Sequence, residues 1–237
     1  MKVKYLQLWM MTLLVIILHA CQKDAAVVLD KPSIAIDEVG LNNSKVAYTG
    51  NDLHLDAAVT APAKIASIKV QITLAETNYG WDFVKTYTMP YAGSKSADFH
   101  EHIDVPETAR AGRYTLLIIV TDEAGNKMQA KVNFEVIKDL SLPRITEASL
   151  KTVSASTLNY SGMIQAANKI AKLVVEVQSS AWTKTFTNTD QEMVDQTSYR
   201  LSKDIDLSGA PAGHYHVNIT VFDKAGKQAL YAYHLDR

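Results

Sequence analysis

Ala111-Gly112-Arg113-Tyr114-Thr115-Leu116-Leu117-Ile118-Ile119-Val120-Thr121-Asp122-Glu123-Ala124-Gly125-Asn126 is the stretch that decides the fold. After Tyr114, the residues Leu116, Ile118 and Val120 alternate with Leu117, Ile119 and Thr121, the period of a strand with one face on a core. A Gly-x-Tyr opening matches the tyrosine that stands near the start of the sixth strand in immunoglobulin-like sandwiches. The Asp-x-Ala-Gly stretch that follows is a turn signal leading into a last strand. The same sentence recurs about a hundred residues later. Ala212-Gly213-His214-Tyr215 opens it, Val217, Ile219 and Val221 alternate with His216, Asn218 and Thr220, and Asp223-Lys224-Ala225-Gly226-Lys227 closes it.

Working outward, further landmarks repeat in the same order. Lys64-Ile65-Ala66 returns as Lys169-Ile170-Ala171, Lys31-Pro32-Ser33-Ile34 as Leu142-Pro143-Arg144-Ile145, and Trp81 as Trp182. Turn signals at Gly50-Asn51, Ala61-Pro62, Asn78-Tyr79-Gly80, Pro106 and Gly125-Asn126 bound short alternating runs. No helical period competes with them. The expectation is an all-β chain of two tandem immunoglobulin-like antiparallel β-sandwiches of about seven strands each. The first spans 31–139 and the second 140–237. The connection Ile137-Lys138-Asp139-Leu140-Ser141-Leu142-Pro143 lacks glycine, so it is not a flexible tether.

The first twenty residues read differently. Lys2 and Lys4 precede an apolar run from Leu6 to Leu18, and Leu18-His19-Ala20-Cys21 follows. A basic start, a short apolar stretch and a small residue before the cut describe a secretory signal peptide over 1–20. Cys21 is the only cysteine of the chain. Its setting resembles the lipobox of bacterial lipoproteins, which implies cleavage before Cys21 and lipid on its N-terminus, with 21–30 as spacer. Gln22-Lys23-Asp24 resembles the export tag of Bacteroidota surface lipoproteins. The expected location is therefore the outer membrane, lipid-anchored, at the cell surface.

Without Lys2 and Lys4 the mature chain holds 22 basic and 25 acidic side chains, a net charge of about −3. This is not the footprint of a nucleic-acid binder. With no cysteine beyond Cys21, neither disulfides nor thiolate metal sites contribute. No hydrolase elbow, His-Glu-x-x-His or phosphate-cradling glycine loop is present, so the sequence offers no argument for an enzyme.

The stretch Phe99-His100-Glu101-His102-Ile103-Asp104-Val105-Pro106, together with the two landmarks around Tyr114 and Asp122, resembles a family of Bacteroidota lipoproteins classed as a domain of unknown function. The resemblance covers roughly 31–138 well and 142–237 weakly, where Tyr199-Arg200-Leu201-Ser202-Lys203-Asp204-Ile205 replaces the histidine-bearing element. It implies a surface location and an immunoglobulin-like sandwich, and brings no activity with it.

The histidines carry what chemistry the sequence offers. His100 and His102 share one face of a strand, with Phe99, Glu101 and Ile103 on the other. His54 lies between Leu53 and Leu55, with Asp56 on its own face. Second and fifth strands are neighbours in an immunoglobulin-like sheet, which would bring His54, Asp56, His100 and His102 together. Such a set suits a divalent transition metal, Zn²⁺, Cu²⁺ or Ni²⁺. A solvated polar sheet face has the same pattern, and the sequence leaves both readings open. His214, His216 and His234 form a weaker candidate trio on the other type of sheet, where the first copy has Arg113, Thr115 and Asn133. Tyr79 and Trp81 are candidate stacking residues for a sugar. The function expected is a binding or accessory module, metal-binding or serving metal uptake. The alternative is a glycan- or protein-binding accessory of a nutrient uptake complex, its partner an outer-membrane transporter or an extracellular glycan.

Overall fold

A computed structural model describes residues 30–75 and 80–237. The signal segment, Cys21, the Gln22-Lys23-Asp24 tag and Tyr79 lie outside the described residues. Fifteen strands and one 3₁₀ turn, Leu41–Asn43, make up the described chain, and it holds no α-helix.

The first sandwich comprises β1 (Ser33–Val39), β2 (Val46–Tyr48), β3 (Asp52–Thr60), β4 (Ile65–Leu74), β5 (Phe83–Tyr87), β6 (Ser96–Asp104), β7 (Gly112–Asp122) and β8 (Lys127–Ile137). One sheet runs β1-β3-β6 and the other β2-β8-β7-β4-β5. The second comprises β9 (Arg144–Ser154), β10 (Thr157–Gln165), β11 (Ile170–Gln178), β12 (Thr183–Asn188), β13 (Ser198–Asp206), β14 (His214–Asp223) and β15 (Gln228–Asp236). Its sheets run β13-β10-β9 and β12-β11-β14-β15. Each sandwich has its own core: Leu53, Leu55, Phe99, Ile103, Leu116, Ile118 and Val120 in the first, Leu158, Ile164, Leu201, Ile205, Val217, Ile219 and Val221 in the second. The all-β, two-sandwich expectation therefore holds.

One strand departs from the count of seven. After β1 the chain leaves its sheet and joins the other as β2, paired parallel to β8. The crossing is made at Gly40, with φ 72°. A Cβ there would lie 2.3 Å from the Val46 carbonyl oxygen, so only glycine fits. Three residues are too few to show an alternation, and β2 leaves no periodic trace in sequence.

The repeated motifs have repeated structural roles. Tyr114 and Tyr215 are fully buried, and their hydroxyls donate to carbonyls four residues upstream: Arg110 O at 2.8 Å and Pro211 O at 2.6 Å. Both are the tyrosine corner of the fold. The buried carboxylates of Asp122 and Asp223 accept the backbone N–H of Asn126 and Lys227, each at 2.7 Å, and so close the two hairpins. Lys64 and Lys169 both take the left-handed conformation, and their carbonyls accept the N–H of Glu123 and Lys224, each at 2.9 Å. The Lys-Ile-Ala and Asp-x-Ala-Gly motifs are thus two sides of one contact.

The connection between the sandwiches is held from the second one. The Asp139 carboxylate accepts from Lys227 Nζ at 2.6 Å and from the Ser141 N–H at 2.9 Å. The Lys227 ammonium, with Ser141 beside it, holds the Asp139 carboxyl down at about 2.

The tyrosine corners give a direct test. Tyr114→Phe keeps the ring and leaves the Arg110 carbonyl without its donor, at an expected cost of about 1–3 kcal/mol. Tyr215→Phe should cost the second sandwich a similar amount. Denaturant unfolding of each variant measures both; an unchanged midpoint for either would deny the corner a structural role.

Candidate metal centre

The pleat of β3 sends Leu53, Leu55 and Ala57 into the core and His54 and Asp56 outward. On β6, Phe99 and Ile103 point inward while His100 and His102 point out. Antiparallel pairing sets His54 opposite His102 and Asp56 opposite His100. The three imidazole rings lie 4.8 to 5.0 Å apart by centroid. One nitrogen from each of His54, His100 and His102 falls within 4.8 Å of the other two. The four residues expected to converge do so.

Each ring is held by its own carboxylate. His54 Nδ1 lies 2.9 Å from Glu38 Oε1, His100 Nδ1 lies 2.5 Å from Asp56 Oδ1, and His102 Nδ1 bonds Asp52 Oδ2. A carboxylate that accepts the Nδ1–H fixes the tautomer and leaves Nε2 as a lone-pair donor, the arrangement common around histidine-bound zinc. The consequence is visible between His100 and His102, whose Nε2 atoms face one another at 3.0 Å. Two acceptors aimed at each other need a cation or a proton between them. Asp52 and His102 are nearly buried, with side chains 8% and 7% exposed, which fixes this part of the site most firmly. Glu38 and Asp52 were not singled out in the sequence. Asp52 could have been, since it shares the outward parity of His54 and Asp56; Glu38 could not, because β1 shifts register between Ile36 and Glu38.

The second trio also assembles. His216 pairs opposite His234 across β14 and β15, and His214 opposite Asp236. Ring centroids lie 4.7 Å apart for His216–His234 and 5.1 Å for His214–His234. His214 Nδ1 is 2.7 Å from Asp236 Oδ1, and its Nε2 is 3.0 Å from His234 Nδ1. His216 Nδ1 is buried without a hydrogen-bond partner.

The two trios face one another. His100 stands 4.7 Å from His216 by ring centroid, and His102 stands 6.3 Å from His234. Six of the seven histidines of the chain therefore form one cluster. Burial lowers the pKa of His216 to about 4, with the neighbouring His100, His234 and His214 adding to it. Burial first, then His214, His102 and His100, lowers His234. Burial lowers His100 as well and outweighs the opposing pull of Asp56.

Trp81 corrects an expectation. It is 9% exposed, packs on Phe83 and Tyr114, and its backbone N–H donates to the Tyr114 hydroxyl at 3.2 Å. A ring that fills the core beneath the tyrosine corner is closed to a sugar. Tyr87 is buried too, against Phe99.

Two family profiles match the chain. One, described as a domain of unknown function (DUF4625), covers residues 19–137, and the other, described as a bacterial Ig-like domain, covers residues 132–234. Among solved structures, the chain is similar to a tetra-tandem repeat in the extending region of a large adhesion protein, at 20% identity over 87% of this chain and 48% of that one, with a TM-score of 0.31. It is similar to dimeric latent PorU from Porphyromonas gingivalis at 13% identity, over 91% of this chain and 21% of that one, with a TM-score of 0.40. A two-domain fibronectin type III segment of chicken tenascin matches at 12% identity over 88% of this chain and all of that one, with a TM-score of 0.30. The chain thus spans less than half of the first of these proteins and about a fifth of the second. Among curated proteins, none matches.

The histidine cluster sets a pH dependence. His100, His216 and His234 have folded pKa values below the ordinary 6.5, so the unfolded chain binds more protons once the pH falls below that value. The stability they contribute is fully present above about pH 6.5 and is lost as the pH falls towards 4. Metal-free protein should melt at progressively lower temperature from pH 7 to pH 4.5. His216→Gln should flatten that slope, and an equal slope in both proteins would show that the cluster does not govern it.

Proposed function

The chain belongs to the family described as a domain of unknown function (DUF4625), and from the histidine cluster we propose that it is a surface-anchored binding module for a divalent transition metal, Zn²⁺, Cu²⁺ or Ni²⁺. The observation that carries this reading is the pair of Nε2 atoms of His100 and His102, 3.0 Å apart with each Nδ1 held by a carboxylate. Two nitrogens bound to one tetrahedral ion at 2.0–2.1 Å would stand roughly 3.3 Å apart, which is close to this spacing. His54 supplies a third nitrogen and Asp56 a carboxylate oxygen within reach, since Asp56 Oδ2 lies 3.3 Å from His54 Nε2. Imidazole and carboxylate together favour these metals over calcium or magnesium, which take oxygen. A supply or uptake role follows naturally from a metal site at the cell surface, and the reading is one of binding, not catalysis.

Metal binding to the folded state raises stability by about 2.7 kcal/mol at a hundredfold excess over Kd. Zn²⁺ added to metal-free protein at pH 7.5 should therefore raise its Tm by several degrees. His100→Ala/His102→Ala should remove the shift. Calorimetric titration showing equal zinc binding in wild type and the double variant would overturn the site.

Anchoring is supported by sequence alone, through Leu18-His19-Ala20-Cys21. Cys21→Ala should leave the protein out of the membrane fraction and free of labelled palmitate. Retention of label by that variant would place the anchor elsewhere.

A further inference from the structure

The two histidine trios belong to different sandwiches, yet they meet. His54, His100 and His102 stand on the outer face of β3 and β6, and His214, His216 and His234 on the outer face of β14 and β15. Strand β15 lies beside β3. At the nearest pair, the spacing across the junction matches the spacing within each trio, while His102 and His234 stand farther apart at 6.3 Å. His100–His216 is 4.7 Å by centroid, against 4.9 Å for His100–His102 and 4.7 Å for His216–His234. Imidazoles that share a tetrahedral ion at 2.0–2.1 Å stand roughly 5 Å apart by centroid. By ring centroid, His100 and His216 are therefore as near one another as the pairs within each trio.

A second observation points the same way. His216 Nδ1 is buried without a hydrogen-bond partner. An unpaired buried ring nitrogen costs free energy unless something fills its lone pair. Next to His100 and His234, the group that fits is a metal ion.

We propose that the two trios form one bipartite site, in which a divalent transition metal bound between His100 and His216 locks the first sandwich to the second. The inference rests on the metal-binding reading above and adds to it a regulated geometry: metal occupancy fixes the angle between the sandwiches. The connection at 137–143 is tied down at Asp139 by Lys227, which limits how far the faces can part without metal. Metal would complete a junction that the chain has already brought together. The non-equivalence of the trios supports this role. Two copies of one domain in tandem meet through different surfaces, so a junction site has to use different positions in each copy.

The test uses the mature chain with Cys21→Ser and one spin label on each sandwich, at the exposed positions Lys131→Cys and Lys151→Cys. Distances are measured by pulsed electron paramagnetic resonance with excess chelator and with Zn²⁺, and zinc affinity by calorimetry. The expected result is a distance distribution that narrows with zinc. In His214→Ala/His216→Ala/His234→Ala the narrowing should vanish and zinc affinity should fall by about tenfold or more. His216→Gln should show the same loss of narrowing and guards against a fold effect in the triple variant. Zinc that binds with no change in the distribution, or that binds the triple variant as tightly as wild type, would overturn the bipartite site and leave the metal site of the first sandwich standing. No zinc binding to wild type would overturn both.

Discussion

A strand has two faces, and in each sandwich the core claims only one. That constraint organises this protein. On β3 and β14 the apolar residues alternate inward, on β6 Phe99 and Ile103 do so with Glu101 between them, and the positions of opposite parity face out. Six of those outward positions, or their continuation on β15, are histidines. The packing of Leu53, Leu55, Phe99, Ile103, Val217 and Ile219 therefore fixes the register, and the register fixes the cluster. A slip of one residue in any of these strands would turn its histidines into a core that has no partners for them.

The carboxylates turn a collection of rings into a site. An imidazole free to rotate offers either nitrogen to anything nearby. Glu38, Asp56, Asp52 and Asp236 each hold one Nδ1 and so choose which nitrogen is left. The same carboxylates offset positive charge where imidazoles crowd together. His216 has no such partner, and burial first, then the neighbouring His100, His234 and His214, lowers its pKa to about 4. It is the ring that most depends on another ligand for its lone pair.

Duplication supplied the frame, and divergence supplied the chemistry. The tyrosine corners, the aspartate-closed hairpins and the left-handed lysines are the same in both halves, because each solves a backbone problem that the fold poses twice. The histidines are not the same. Arg113, Thr115 and Asn133 stand in the first copy where His214, His216 and His234 stand in the second. Nothing in the fold requires imidazole at either place, so their presence on two surfaces that face each other belongs to the junction.

Much was legible in the chain itself. Period-two alternation and the repeated landmarks determine two sandwiches; parity puts His54 with Asp56 and His100 with His102, and the strand neighbours of an immunoglobulin-like sheet bring the two pairs to one face. The same parity pairs His216 with His234 once the hairpin length is known. Parity says nothing about what lies opposite a face. Glu38 reaches His54 through an irregular register, β2 is too short to show a period, and Trp81 turns inward beneath Tyr114. Above all, the meeting of the two trios depends on how one sandwich sits against the other. That is decided by contacts between residues more than a hundred positions apart, such as His100 with His216, and a periodic pattern within one strand carries no information about them. The sequence determined which residues face outward; only the tertiary structure decided that they face each other.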